Sequence, residues 1–142
     1  MNDRNRDRQR GYEAACGELK LIRKMKIMHS PNTLDGGAQV VSEVLARGDP
    51  IDALQCGTDV LAVGAILECQ RRGINVPKQL AISGFDDLPI ASSIVPPLTT
   101  VKIDRIGLGR CIGHVLLQRL ADERMPSRVI DVGFRVVERS ST

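Results

Sequence analysis

With 142 residues, 42% hydrophobic and 26% charged, the chain has the balance of one globular domain with a core of its own. That balance excludes a disordered tail, a collagen-like repeat and a coiled-coil rod. No run of about 18 apolar residues offers a membrane span, and the charged start, Met1 to Arg10, lacks the apolar stretch of a secretory signal, so a cytoplasmic location is expected. The net charge of +3 is uneven: residues 1–26 hold eight Lys/Arg against four acids, so the excess positive charge sits at one end. Acids interleave with bases there, as on a solvated helix face, which is the plainer reading over nucleic-acid contact.

One Tyr, two Phe and no Trp leave Val, Ile, Leu and Ala to build the core, and leave no aromatic platform for stacking single-stranded nucleic acid. The cysteines Cys16, Cys56, Cys69 and Cys111 form no C-x-x-C pair and have only His29 and His114 for company. They are expected as buried reduced thiols; no metal site and no cofactor are expected.

In chain order, Arg8 to Lys24 predicts a helix with Tyr12, Ala15 and Leu19 on one face. Lys26 to His29 predicts a short strand ended by Ser30-Pro31-Asn32. A second helix starts at Asp35, carries Ala38, Val41, Val44 and Leu45 at helical spacing, and closes at Arg47-Gly48. Ile51 to Cys56 predicts a buried strand, turned by Gly57-Thr58-Asp59 into a helix running to Arg72. Thr58 is its N-cap, Asp59 favours its dipole and Gly73 marks its end. Leu80 to Ser83 predicts the next strand, completing a β-α-β unit with parallel strands and a right-handed crossover. Pro96-Pro97 precede a strand over Leu98 to Lys102. A helix is expected over Arg105 to Ala121 with Leu108, Ile112, Val115 and Leu116 inward, and Val129 to Glu138 predicts one or two terminal strands. The fold class is α/β with a mostly parallel sheet flanked by helices.

In an open parallel sheet, ligands bind beyond the carboxyl ends of the strands. Gly57-Thr58-Asp59 and Gly84-Phe85-Asp86-Asp87 both fall there, placing a hydroxyl and a carboxylate at one edge, a combination suited to a polyhydroxylated ligand. The plain alternatives are an N-cap for Thr58 and a loop cap for Asp86. Asp86-Asp87 also admits the acidic pocket of a phosphoacceptor domain, with Lys102 a vague partner. Gly107-Leu-Gly109-Arg-Cys-Ile-Gly113 has the wrong last spacing for a dinucleotide fingerprint and lies in a helix. Neither histidine has a motif-bearing partner, so no catalytic set is expected.

Together these segments resemble the lactose/galactose-repressor (LacI/GalR) transcription regulators. The resemblance is carried by Asp52-Ala-Leu-Gln-Cys-Gly-Thr-Asp-Val-Leu-Ala-Val-Gly-Ala65, Gly73-Ile-Asn-Val-Pro77, Ile82-Ser-Gly-Phe-Asp-Asp87 and Pro96-Pro-Leu-Thr-Thr-Val101, in order and with similar spacing. Arg8-Gln-Arg-Gly-Tyr12 matches the family's helix start, and the tail from Asp131 to Ser140 is similar to the gluconate-repressor branch. The resemblance implies a sensor of the periplasmic-binding-protein-like type I fold. Residues 1–103 and 134–142 would belong to its C-terminal subdomain, and 104–133 would cross to a first subdomain that is not in the chain. A helix-turn-helix, through which the family binds DNA, is not in these 142 residues either.

The same resemblance implies that Arg8 and Asp86 contact the effector. Thr58 stands where the family usually has asparagine, and Arg105 where the gluconate branch carries an arginine suited to a sugar-acid carboxylate. Dimer contacts are implied at Val63, Ile90 and Ile94. The expected partners are a sugar or sugar-acid effector such as gluconate, and a second copy or a full-length regulator. The apolar face of 104–133 is expected to be exposed and to favour self-association. A stand-alone sugar-binding protein, or a fragment without independent activity, are the alternatives.

Overall fold

The computed structural model describes residues 3–21, 25–48, 50–122, 124 and 126–142. Helix α1 (Asp3–Glu18) ends where Lys20 turns to a positive φ of 59°. It is shorter than the expected helix to Lys24, whose last residues, 22–24, lie outside the described ones. The strand expected at Lys26–His29 does not form: residues 25–30 join no ladder with the described strands, and strand propensity alone cannot supply one.

Helix α2 (Leu34–Arg47) is capped by Thr33, whose hydroxyl accepts the Gly36 N–H at 3.0 Å, and stops at Gly48, φ 66°. Then follow β1 (Ala53–Gln55), α3 (Asp59–Arg71) capped by Thr58, β2 (Ala81–Phe85), the one-turn α4 (Pro89–Ser93), β3 (Thr99–Lys102), α5 (Arg105–Ala121) and β4 (Arg135–Val137). The sheet runs β1-β2-β3-β4. Strands β1, β2 and β3 are parallel, with Ala53 opposite Ala81 and Ser83 opposite Thr99, and β4 returns antiparallel with Val137 opposite Thr100. The β-α-β unit lies within a few residues of where the sequence puts it, and α5 keeps its bounds. The buried strand expected over Ile51 to Cys56 is only Ala53–Gln55, with Ala53 and Gln55 exposed, because β1 stands at the edge of the sheet.

The core lies between the sheet and α3, with α2 packed against that helix. Ala62, Val63, Ala65, Ile66 and Cys69 of α3 meet Leu80, Ile82 and Leu98, and Val41 joins from α2. The two helices touch along glycines: a methyl group on Gly64 would sit 2.8 Å from the Leu34 carbonyl carbon, and one on Gly37 would sit 2.9 Å from the Ala65 nitrogen. Cys16, Cys56 and Cys69 are buried free thiols and Cys111 is a half-buried one.

The C-terminus closes the other end of the sheet. Ser141 is fully buried; its hydroxyl donates to the Ile82 carbonyl at 2.6 Å and accepts the Thr99 N–H at 2.8 Å, while its carbonyl accepts the Ile82 N–H. It thereby stitches β2 to β3 at their amino ends.

Helix α5 corrects one expectation. It buries no residue, and Ile112 and Leu116, read as inward, are 58% and 57% exposed; Leu108 and Val115 are only half-buried. Its helical periodicity is real, but no described element covers the apolar face.

Candidate functional site

The carboxyl edge of the parallel strands carries three turns, after β1, β2 and β3. Arg8 reaches this edge from α1. Its guanidinium lies 3.9 Å from the centre of the Phe85 ring, at the end of β2, and donates a hydrogen bond to the carbonyl of Gly57, just past β1. Arg8, Gly57 and Phe85 open on a cleft of about 1260 Å³ bounded also by residues 25–30, the end of α2 and residues 131–134. Among the described residues, the charged ones lining it are Arg8, Lys26 and Arg47 against Asp131, although Arg47 pairs with Glu43 at 3.5 Å. Such a lining favours an anion.

The turn after β2 is held in uncommon backbone. Asp86 has φ 122° and Asp87 φ 49°, conformations that ordinary side chains adopt at a cost of about 1–3 kcal/mol each. The neighbours over-determine it. The Asp86 N–H donates to the Val101 carbonyl at 2.9 Å, the Asp87 N–H to the Thr100 hydroxyl at 3.4 Å, and the Leu88 N–H to Asp59 Oδ2 at 2.7 Å. The Asp87 carboxylate sits between Lys102 Nζ at 2.8 Å and Arg139 Nη2 at 2.6 Å. Hydrogen bonds from Lys102, and then from Arg139, hold its pKa below the ordinary carboxylate value. Lys102 and Arg139 thus engage both oxygens of the Asp87 carboxylate. Among the described residues no group of three His, Cys, Asp or Glu is placed to hold a metal.

The other implied site residues are placed less directly. Thr58 gives its hydroxyl to structure, accepting the Leu61 N–H at 3.4 Å and donating to Asn32 Oδ1 at 2.5 Å. Arg105 is exposed on the first turn of α5. Neither it, Thr58 nor Asp86 lines the cleft that Arg8 faces. Cys56 does line it, but burial, then the Asp59 carboxylate and Cys69, push its thiol up to about 12, so it is no nucleophile at neutral pH. Of the implied dimer residues, Val63 and Ile94 are 4% and 9% exposed and belong to this chain's own core, because α3 and the residue after α4 face the sheet; Ile90 is 47% exposed.

Sequence reasoning missed Phe85, Asp59, Arg139 and Ser141. Phe85 had a signal, being one of two phenylalanines and the residue immediately before Asp86. Arg139 and Ser141 had none, since their partners lie 40 or more residues away.

A model of the periplasmic binding protein-like domain matches residues 2–142. The HTH-type transcriptional regulator GntR of Pseudomonas aeruginosa is 35% identical over 112 residues, which cover 79% of this chain and 33% of that protein. The crystal structure of the transcription regulator GntR from Chromobacterium violaceum matches with a TM-score of 0.82 at 35% identity, over 99% of this chain and 53% of that one. A LacI family transcriptional regulator from Enterococcus faecium, solved with bound ribose, matches with a TM-score of 0.87 at 22% identity, over 97% of this chain and 51% of that one, which speaks to the fold. The chain thus spans between a third and slightly over half of these relatives. Among the described residues no helix is long and apolar enough to cross a membrane. The chain belongs to the periplasmic binding protein-like domain family, and its relatives there are LacI-family transcriptional regulators.

Proposed function

We propose that this chain is part of the effector-binding and dimerisation portion of a cytoplasmic LacI/GalR-type transcriptional regulator, answering to a sugar or sugar acid such as gluconate, and is not an enzyme. The observation that carries the proposal is the Arg8 guanidinium, held at the carboxyl edge of β1 and β2 against a cleft richer in cations than in acids. A guanidinium suits carboxylate and sugar hydroxyls alike through several donors in one plane. Asp86, in a strained and firmly braced turn on the same edge but outside the lining of that cleft, is the second candidate, an acceptor for ligand hydroxyls that extend beyond it. Thr58 and Arg105 stay as peripheral candidates.

The mechanism is linkage: effector binding favours one arrangement of the sensor, and that preference changes operator affinity at DNA-reading segments outside these residues. Pairing with a second copy, or with an intact regulator, is supported by the exposed Ile90 and by the open apolar face of α5.

Thermal unfolding of the 142-residue chain against a panel of sugars and sugar acids tests the proposal. A ligand present at 100 times its dissociation constant adds about 2.7 kcal/mol of stability. Arg8→Ala and Asp86→Ala should each remove that gain. A transition unmoved by every member of the panel would overturn the effector role.

A further inference from the structure

Two independent contacts fix the Arg8 guanidinium. The Arg8 Cζ lies over the Phe85 ring, 3.9 Å from its centre, and the Gly57 carbonyl accepts one of the guanidinium N–H groups. The first fixes where the group sits and the second where one of its N–H groups points. Arginine is long and rich in rotamers, so an unheld guanidinium loses much freedom on meeting a ligand. An aromatic ring attracts a cation through its quadrupole and uses no N–H in doing so. Stacking therefore orders Arg8 while leaving its other donors for a ligand. Phe85 also ends β2 directly before the strained Asp86–Asp87 turn, so one residue ties the placement of Arg8 to that of Asp86.

We infer that Phe85 is a positioning residue for Arg8, presenting the guanidinium, together with the Gly57 carbonyl, to the carboxylate of a sugar acid in the cleft. The inference rests on the effector role proposed above and adds to it a residue that acts through another. The ligand class follows from the charges around it: with Arg47 offset by Glu43, Arg8 and Lys26 against Asp131 favour an acidic over a neutral sugar.

Calorimetric titration of the full 142-residue chain with D-gluconate, and with D-glucose as the neutral probe, tests it through Phe85→Leu, Phe85→Tyr, Arg8→Gln and the Arg8→Gln/Phe85→Leu pair. Phe85→Leu, which keeps bulk and loses the quadrupole, should weaken D-gluconate binding about two- to thirtyfold. Phe85→Tyr, which keeps the ring face, should restore it to within about twofold of the parent chain. In the Arg8→Gln background Phe85→Leu should cost nothing further, as two residues acting as a unit require. A full additional loss in that background, or tyrosine failing as badly as leucine, would show that the ring serves packing alone and would overturn the positioning role while the effector role stands. Where Arg8→Gln binds too weakly to read, the tyrosine-against-leucine comparison decides. Unchanged D-gluconate affinity in Arg8→Gln, or no binding of either probe by the parent chain, would remove the effector role and this inference with it.

Discussion

Asp59 and Thr100 are hydrogen-bonded at 2.5 Å, hydroxyl to carboxylate Oδ1, in a pair with almost no solvent exposure beneath the carboxyl edge of the sheet. The other carboxylate oxygen accepts the Leu88 N–H, and the Thr100 oxygen accepts the Asp87 N–H. One buried carboxylate at the start of α3 and one hydroxyl on β3 thus brace the turn that carries Asp86. Gly84 makes room for it: a methyl group there would overlap Asp59 Oδ1 and sit 3.0 Å from Leu98 Cδ2.

Thr100→Val keeps the shape and deletes the hydroxyl, so it leaves the Asp59 carboxylate short of a partner in a site water cannot reach. The expected cost is about 1.5–3 kcal/mol, the range for a hydrogen bond to a charged group. Urea unfolding of the two chains measures it, and Thr100→Ser should recover most of the loss. A valine variant within about 0.5 kcal/mol of the parent, the scatter of a surface substitution, would mean that the turn needs no brace.

What was legible in the sequence was local. Thr58 followed by Asp59 and an apolar helical run announces an N-cap wherever it occurs, and Gly73 announces a stop, so the central β-α-β unit could be placed to within a few residues. Asp59 shows the limit of such reasoning. Its position in the first turn has a sufficient local explanation in the helix dipole, which hides its bonds to Thr100 and Leu88, 41 and 29 residues away. The Lys26–His29 stretch departs for the opposite reason, since a strand is a property of a pair and no described strand forms a ladder with it. At the site, Arg8 and Asp86 were found through a family pattern. The Phe85 ring over Arg8 and the Arg139–Asp87 bond depend on a tertiary arrangement that no spacing encodes.

The α2–α3 contact predicts a second outcome. Gly37→Ala and Gly64→Ala each drive a methyl group into backbone, the Leu61–Ala65 stretch in one case and Leu34 in the other. Backbone cannot rotate aside as a side chain can, so the helices must separate. Each variant should lose about 1–3 kcal/mol or more in urea unfolding, the usual penalty for overpacking. Gly109→Ala on α5, where a methyl group meets nothing within 4 Å, is the control and should be neutral or slightly stabilising. Equal stability in all three would contradict the close helix approach.

Acid should unfold the chain through two carboxylates. Glu68 is held at about 2, below its ordinary 4.5, by hydrogen bonds first from Arg71 and then from Arg72, with Ser42 of α2 adding a third. Asp87 is shifted the same way by Lys102 and Arg139. A carboxylate with a depressed folded pKa stabilises the fold above its unfolded pKa, and that stability is lost as pH falls through the folded value. The unfolding midpoint should therefore hold near neutral pH and decline as pH drops from about 5 toward about 2. Glu68→Gln should start from a lower midpoint at pH 7 and show a shallower decline. A glutamine variant with the parent's slope would remove Glu68 from the account.

The exposed face of α5 sets the last expectation. Ile112, Leu116 and Leu120 recur every four residues, so they form one stripe, and they are 58%, 57% and 73% exposed. Phe134 and Val136, also exposed, add to the apolar surface of the same C-terminal stretch. Apolar surface on this scale drives association, with full burial of a leucine side chain worth about 1.5–3 kcal/mol. A second copy of the chain, presenting the same stripe, is the occupant expected in a purified sample. Sedimentation equilibrium at rising concentration should show a mass above that of the monomer, and Leu116→Lys with Leu120→Lys should weaken association by about tenfold or more. Because α5 buries none of its residues, the same pair should leave the unfolding of the core unchanged. A monomeric parent at every concentration would refute self-association. A double variant that loses the cooperative unfolding of the core would instead place this face inside the fold.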